Sequence, residues 1–242
     1  MLTMALATLM SIVMFDAKVS LSGDDCDYIL AADAFWHHFA FPGHHGSLYP
    51  IVLSPFVGLF GYRLVLLKFL SVLFTVGAFG FLYKAFERRI PSAVLIPSML
   101  LAAICSYIFF YAGYTYSEPL FMLLQSIYFY FFSRYFWVEG GTPSYTLRKD
   151  WKKYLTLGAL TLAMGLTREI GFCVIGVVIL YFAIKGRWKD LLYTVGAALL
   201  MLAAFYLVKG ILWSNVQVGT SFTNLMAKDY YNPNAGMEDT AG

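Results

Sequence analysis

Charge is what this sequence has least of. Only 13% of its 242 residues are Asp, Glu, Lys or Arg, against about 25% in a soluble domain. With 60% hydrophobic residues and 19% aromatics, the chain cannot cover itself with polar surface, so its solvent must be largely lipid. Cysteine is scarce as well. Cys26, Cys105 and Cys173 are scattered with no paired spacing, which excludes a disulfide framework and a zinc knuckle. Cys105 and Cys173 stand in apolar runs and are expected as small core residues. No basic residues precede the apolar start, so it lacks the shape of a signal peptide. There is no glycine-rich phosphate cradle, no internal repeat and no low-complexity segment. The net charge of +3 is small and gives no reason to expect a nucleic acid partner.

What is present is a run of apolar segments. Residues 1–15 fall short of the ~20 needed to cross a bilayer. They are expected as a first spanning helix, clipped or tilted, that runs to about Ser20; an uncleaved signal anchor gives the same topology. Residues 47–60 suggest a short dipping helix, followed by a full span from Tyr62 to the basic residues Lys84, Arg88 and Arg89. Further spans are expected over 91–111, 120–137 and 191–212. The stretch 154–184 is a puzzle, since one helix of that length is roughly 45 Å long. The basic clusters at 84–89, 134–153 and 185–189 all belong on the cytoplasmic side by the positive-inside rule. The stretch must therefore go out and come back, and Gly165-Leu-Thr167-Arg168-Glu169-Ile-Gly171 is the natural break. Such a tip has to be buried in protein or line a wet cavity.

One polar island stands apart from this pattern. Between residues 20 and 50 lie four of the nine aspartates (Asp24, Asp25, Asp27, Asp33) and all four histidines (His37, His38, His44, His45). The early acids suit the positive end of a helix over 25–39. Tyr28, Ala31, Ala32, Phe35 and Phe39 share one face of it, which is expected to lie flat at the interface with its aromatic side in the headgroups. Asp27 and Asp33 are expected to face solvent, and Pro42-Gly43 to end the helix. The loop, the Tyr116-Ser117-Glu118 turn, the Thr167-Arg168 tip and the tail with Lys228 should all meet on the outer side. Residues 1–212 would then form one transmembrane domain, with 213–242 an outer loop of a chain that continues beyond it.

The chemistry of these groups leaves alternatives open. Asp24 beside Asp25 can supply a general base, or the two can be solvated acids at a helix start. The histidines, with the aspartates, can hold a divalent metal or serve as interfacial filler. Arg168 at depth costs at least about 2.5 kcal/mol on the mildest scale. It is either half of a structural ion pair or a planar fork aimed at a phosphate. Glu118, beside Pro119, is a helix cap or a cavity wall.

The order of these features resembles the GT-C superfamily of integral-membrane glycosyltransferases, in the branch of the protein O-mannosyltransferases and aminoarabinose transferases. The likeness rests on Gly23-Asp24-Asp25-Cys26-Asp27-Tyr28, His45-Gly-Ser-Leu-Tyr49-Pro50, Ser117-Glu118-Pro119 and Thr167-Arg168-x-x-Gly171, and covers the N-terminal part of such a protein. It implies an all-α polytopic transmembrane bundle with an interfacial helix in its first outer loop. It also implies inverting transfer of a sugar from a polyprenyl-phosphate donor to a hydroxyl of a glycan, lipid or protein. Asp24 would be the base and Asp25 its partner acid, with Arg168, Tyr28, His45, Tyr49, Glu118 and Lys228 as substrate-binding residues. The setting would be a bacterial inner membrane or the endoplasmic reticulum. Cys26 departs from the proline common at that position, and the family's later spans and C-terminal domain are not in this sequence. The rival classes are a piece of a transporter or lipid-linked sugar flippase, and a purely structural membrane subunit.

Overall fold

A computed structural model describes residues 2–18, 24–43, 46–137 and 147–214. Among them every regular element is helical. The helices are α1 (Leu2–Val13), α2 (Asp24–His38), α3 (Leu48–Phe60), α4 (Leu64–Phe86), α5 (Ser92–Ala103), α6 (Ser106–Ala112), α7 (Ser117–Phe136), α8 (Leu147–Thr167), α9 (Cys173–Ile184) and α10 (Trp188–Leu212), with a 3-10 turn over Glu169–Phe172.

Among the described residues two helices are long and apolar enough to cross a membrane: α4 with 23 residues and α10 with 25. At 1.5 Å per residue each exceeds the ~30 Å hydrocarbon core. The expected span over 91–111 is a bent pair instead, α5 and α6 meeting at 57°. Counted as one broken span it makes a third candidate. Helix α1 ends at Val13 rather than near Ser20, so it spans only twelve residues. Helices α7 and α8 reach 20 and 21 residues, but their polar residues leave them less apolar than α4 and α10.

Helix α4 packs most extensively on α7, and this pair is the spine of the described structure. Helix α1 lies against α4 and α5, while α8 bridges α7 and α10. Both α4 and α7 run from an acidic end of the molecule to a basic end. At the basic end the Arg89 guanidinium donates to the Ser133 carbonyl, and Arg187 donates to the Phe136 carbonyl at 3.0 Å. Asp190 is fully buried there; it accepts from Arg187 Nε at 2.7 Å and from the Tyr154 hydroxyl at 2.5 Å. Its carboxylate thus ties the turn between α9 and α10 to α8.

Several expectations fail for identifiable reasons. Cys105 and Cys173 are exposed, not core; each sits at a helix junction, Cys105 between α5 and α6 and Cys173 at the start of α9. The buried face of α2 (Asp25, Tyr28, Ile29, Ala32) rests on α3 rather than in headgroups. Tyr28 meets Tyr49 edge-on at 5.0 Å, a pairing worth about 0.5–1.5 kcal/mol beyond burial. The indole of Trp36 lies over Gly58, where a Cβ would come within 2.2 Å of the ring. The end of α2 is also tied to α10, since Trp213 donates to the Phe39 carbonyl at 2.7 Å and packs among Phe35, Phe39 and Phe41.

Candidate functional site

The site is assembled from three chain segments at the acidic end. Asp24 opens α2 and is half-buried; Asp25, its neighbour, is turned inward and 0% exposed. Successive helical residues point about 100° apart, so adjacent acids enter different surroundings. Asp25 Oδ1 accepts the Thr115 backbone N–H at 2.6 Å, and Oδ2 stands 3.8 Å from Lys68 Nζ.

Lys68 is the residue that inspection of the sequence misses. It is a lone cation in the first turns of an apolar helix, and it is as deeply buried as Asp25. Its ammonium donates to the Asp16 carbonyl at 2.9 Å and to the Lys18 carbonyl, and lies 4.6 Å from the centre of the Tyr114 ring. The signal was available: an ionisable group inside a span is expensive enough that a partner should be sought. The pair fastens α2, α4, the exit of α1 and the 113–116 turn at one point.

The second segment is that turn. Tyr28 donates to the Ser117 hydroxyl at 3.1 Å. Burial pushes the Tyr28 phenol above its ordinary value; Ser117 pulls the other way, and Glu118, Arg168 and Asp24 all lie close enough to act on it. Tyr49 lies beneath Tyr28 and is completely buried, which pushes its phenol up as well. Its hydroxyl faces no solvent. The Ser71 hydroxyl lies close enough to pull the Tyr49 phenol the other way, and Thr115 Oγ1 is a further buried oxygen without a hydrogen-bond partner among the described residues. Groups of this kind usually hold ordered water.

The third segment is the break after α8. Arg168 takes extended geometry (φ −149°, ψ 133°), which ends the helix after Thr167. Its guanidinium forms an ion pair with Glu118 on α7, while Glu169 faces outward. Both side chains of the pair keep access to solvent, at 41% for Arg168 and 26% for Glu118. Tyr28, Glu118 and Arg168 therefore gather around one place, with Asp24 at its rim. An apolar cavity of about 250 Å³ runs between α7, the 3-10 turn and α9, lined by Phe121, Met164, Ile170 and Val174 among others.

His45 and Lys228 lie outside the described residues. Asp27 is exposed, and Asp33 pairs at 3.1 Å with the exposed His37. Among the described residues no three His, Cys, Asp or Glu side chains come together as metal ligands. Asp25 is already committed to Lys68 and Thr115. The donor set at the described acids does not fit a divalent ion.

One glycine holds the loop after α2 against the break. Gly46 has φ +92°, and a Cβ on it would come within 2.1 Å of the Thr167 carbonyl oxygen. Gly46→Ala is expected to destabilise the protein by more than about 1 kcal/mol. It should also open the junction between 46 and 167 to protease. A thermal melt matching wild type, with unchanged cleavage, would show that this contact is dispensable.

No family model matches the chain, and no curated protein or solved structure matches it either.

Proposed function

We propose that this chain is part of a multi-pass membrane enzyme that transfers a sugar from a polyprenyl-phosphate carrier to an acceptor hydroxyl. It is a GT-C-like bundle, with Asp24 as general base and Arg168 as the cation for the carrier phosphate. The observation that carries this reading is the convergence of the acid-bearing helix, the Ser117–Glu118 turn and the Arg168 break. Tyr28 and Ser117, Asp25 and Thr115, and Glu118 and Arg168 are bonded pairs from segments far apart in sequence.

The chemistry suits the placement. A phosphate leaving group needs little beyond a fixed cation. An acceptor hydroxyl needs a base within hydrogen-bond reach. Asp24, half-buried at the rim, is open to an acceptor, while Asp25 positions the helix that bears it. The apolar cavity along the 3-10 turn that follows Arg168 suits the first isoprene units of a carrier. In the resting state Glu118 occupies Arg168, and the carrier phosphate would displace it.

A transporter or flippase is the second class, and the distribution of charge argues against it. Substrate sites of transporters hold their essential groups at mid-membrane. The middles of α4 (69–83) and α10 (191–208) carry no ionisable acid or base other than tyrosine. The acids and the arginine of the site lie at one end instead.

Two substitutions in the full-length protein test the role of Arg168. Membranes are labelled with a photoreactive polyprenyl phosphate. Arg168→Gln should lower labelling roughly tenfold to a hundredfold, the worth of a charge-assisted bond of about 1.5–3 kcal/mol. Glu118→Gln should maintain or raise it, because it frees the guanidinium. Equal labelling in wild type and Arg168→Gln, with both variants equally destabilised, would reduce the pair to a structural strut.

A further inference from the structure

The basic end of the molecule contains a hollow that the sugar-transfer reading does not use. It has a volume of about 430 Å³ and lies where the C-terminal ends of α4 and α7 meet. That is within the range of small-molecule sites. Four cations line it, Lys84, Arg88, Arg89 and Arg134, against a single carboxylate, Glu87.

A plain account is that these cations only balance the negative ends of two helices. Part of the cluster does so. Arg89 donates to the Ser133 carbonyl and packs over the Trp137 ring at 5.6 Å, and Arg134 donates to the Tyr130 hydroxyl at 2.8 Å. The remainder is not used in this way. Arg89 Nε is buried with no hydrogen-bond partner among the described residues. Lys84 and Arg88 form no ion pair among them, and both are exposed. A held guanidinium, two further exposed cations and a concave wall make an anion site rather than a solvated face. Planar guanidinium forks match phosphate oxygens in particular.

We propose that this hollow binds a net-anionic phosphate ester, presented either as a lipid headgroup at this face of the bilayer or as a soluble phosphate. Basic pockets between helices at the positively charged face are suited to anionic lipids, at about 1 kcal/mol per cation near the surface. The Arg89 fork, fixed by Ser133 and Trp137, sets the orientation, and Lys84 and Arg88 at the mouth supply the attraction. Nothing in this depends on the identity of the reaction at the other end.

The test uses the full-length protein in neutral-detergent micelles. Emission from Trp137, beside Arg89, is the reporter, and Trp137→Phe supplies the blank. The protein is titrated separately with short-chain phosphatidylglycerol, short-chain phosphatidylcholine and inorganic phosphate. Phosphatidylglycerol should saturate the signal, and phosphatidylcholine should be weaker by tenfold or more. Lys84→Gln with Arg88→Gln should weaken phosphatidylglycerol by about 25-fold, roughly fivefold per charge. These two side chains are exposed and form no ion pair among the described residues, so the variant is expected to keep its melting temperature. Arg89→Lys keeps the charge but loses the fork, and should weaken binding further. Saturation by inorganic phosphate as well assigns the site to soluble phosphates; saturation by the lipid alone assigns it to headgroups. No saturation by either, or an unchanged midpoint in the double variant, overturns the proposal.

Discussion

Asp24→Asn should cut sugar transfer by about 10²–10⁴-fold, the usual contribution of a positioned general base. The substitution is close to isosteric, and Asn is as well tolerated at a helix start as Asp. Secondary structure and melting temperature should therefore hold while activity falls. The readout is transfer of label from a polyprenyl-phosphate sugar in membranes containing the full-length protein. The neighbouring acid supplies the contrast. Asp25 is fully buried against Lys68 and the Thr115 N–H, so Asp25→Asn should lower stability first and activity only as a consequence. Transfer at the wild-type rate in Asp24→Asn would remove the base and, with it, the enzyme reading of this end of the molecule.

Lys68→Met should destabilise the protein by about 3–5 kcal/mol, because it leaves the Asp25 carboxylate buried without its cation. It also strips the Asp16 and Lys18 carbonyls of their donor. A double variant, Lys68→Met with Asp25→Leu, should recover much of that loss, since an apolar pair of similar volume is often neutral or better than a buried ion pair. The measurement is a denaturant or thermal series on the two single variants and the double, read as a cycle. Additive losses would mean that the two side chains do not depend on each other. The double variant should melt between Lys68→Met and wild type, since the Thr115 N–H and the two carbonyls stay unpaired, and should transfer poorly, because the helix carrying Asp24 would have lost its fixed point.

Much of the architecture was legible because breaks in a hydrophobic chain announce themselves. Gly61 and Arg63 separate α3 from α4, and Arg168 with Glu169 interrupts what would otherwise be an overlong helix. The basic clusters sort the helix ends without any knowledge of contacts. Partners that lie far apart in sequence were not legible. Nothing near Asp25 says that it faces inward, because its cation is in another helix that reads as plain membrane filler. Glu118 and Arg168 were each singled out, but their pairing depends on how α7 meets the end of α8. The aromatic side of α2 suggested headgroups because Tyr28 and Phe35 suit an interface equally well; only the presence of α3, with Tyr49 and Gly58, shows that protein covers it. The kink between α5 and α6 also escaped notice, since the run from Ser92 to Ala112 has the composition of an uninterrupted span.

The bonds that define the acidic end also imply an order of birth. Asp25 and Thr115 are 90 positions apart, and Glu118 waits 50 more residues for Arg168. A ribosome releases these groups one after another, and chains fold from the N-terminus as they emerge. On that order the lysine of α4 is available to the aspartate before the 113–118 elbow is made, and the arginine arrives last. A nascent chain stalled before α8 should already hold its acid in place, yet have no cation for a phosphate.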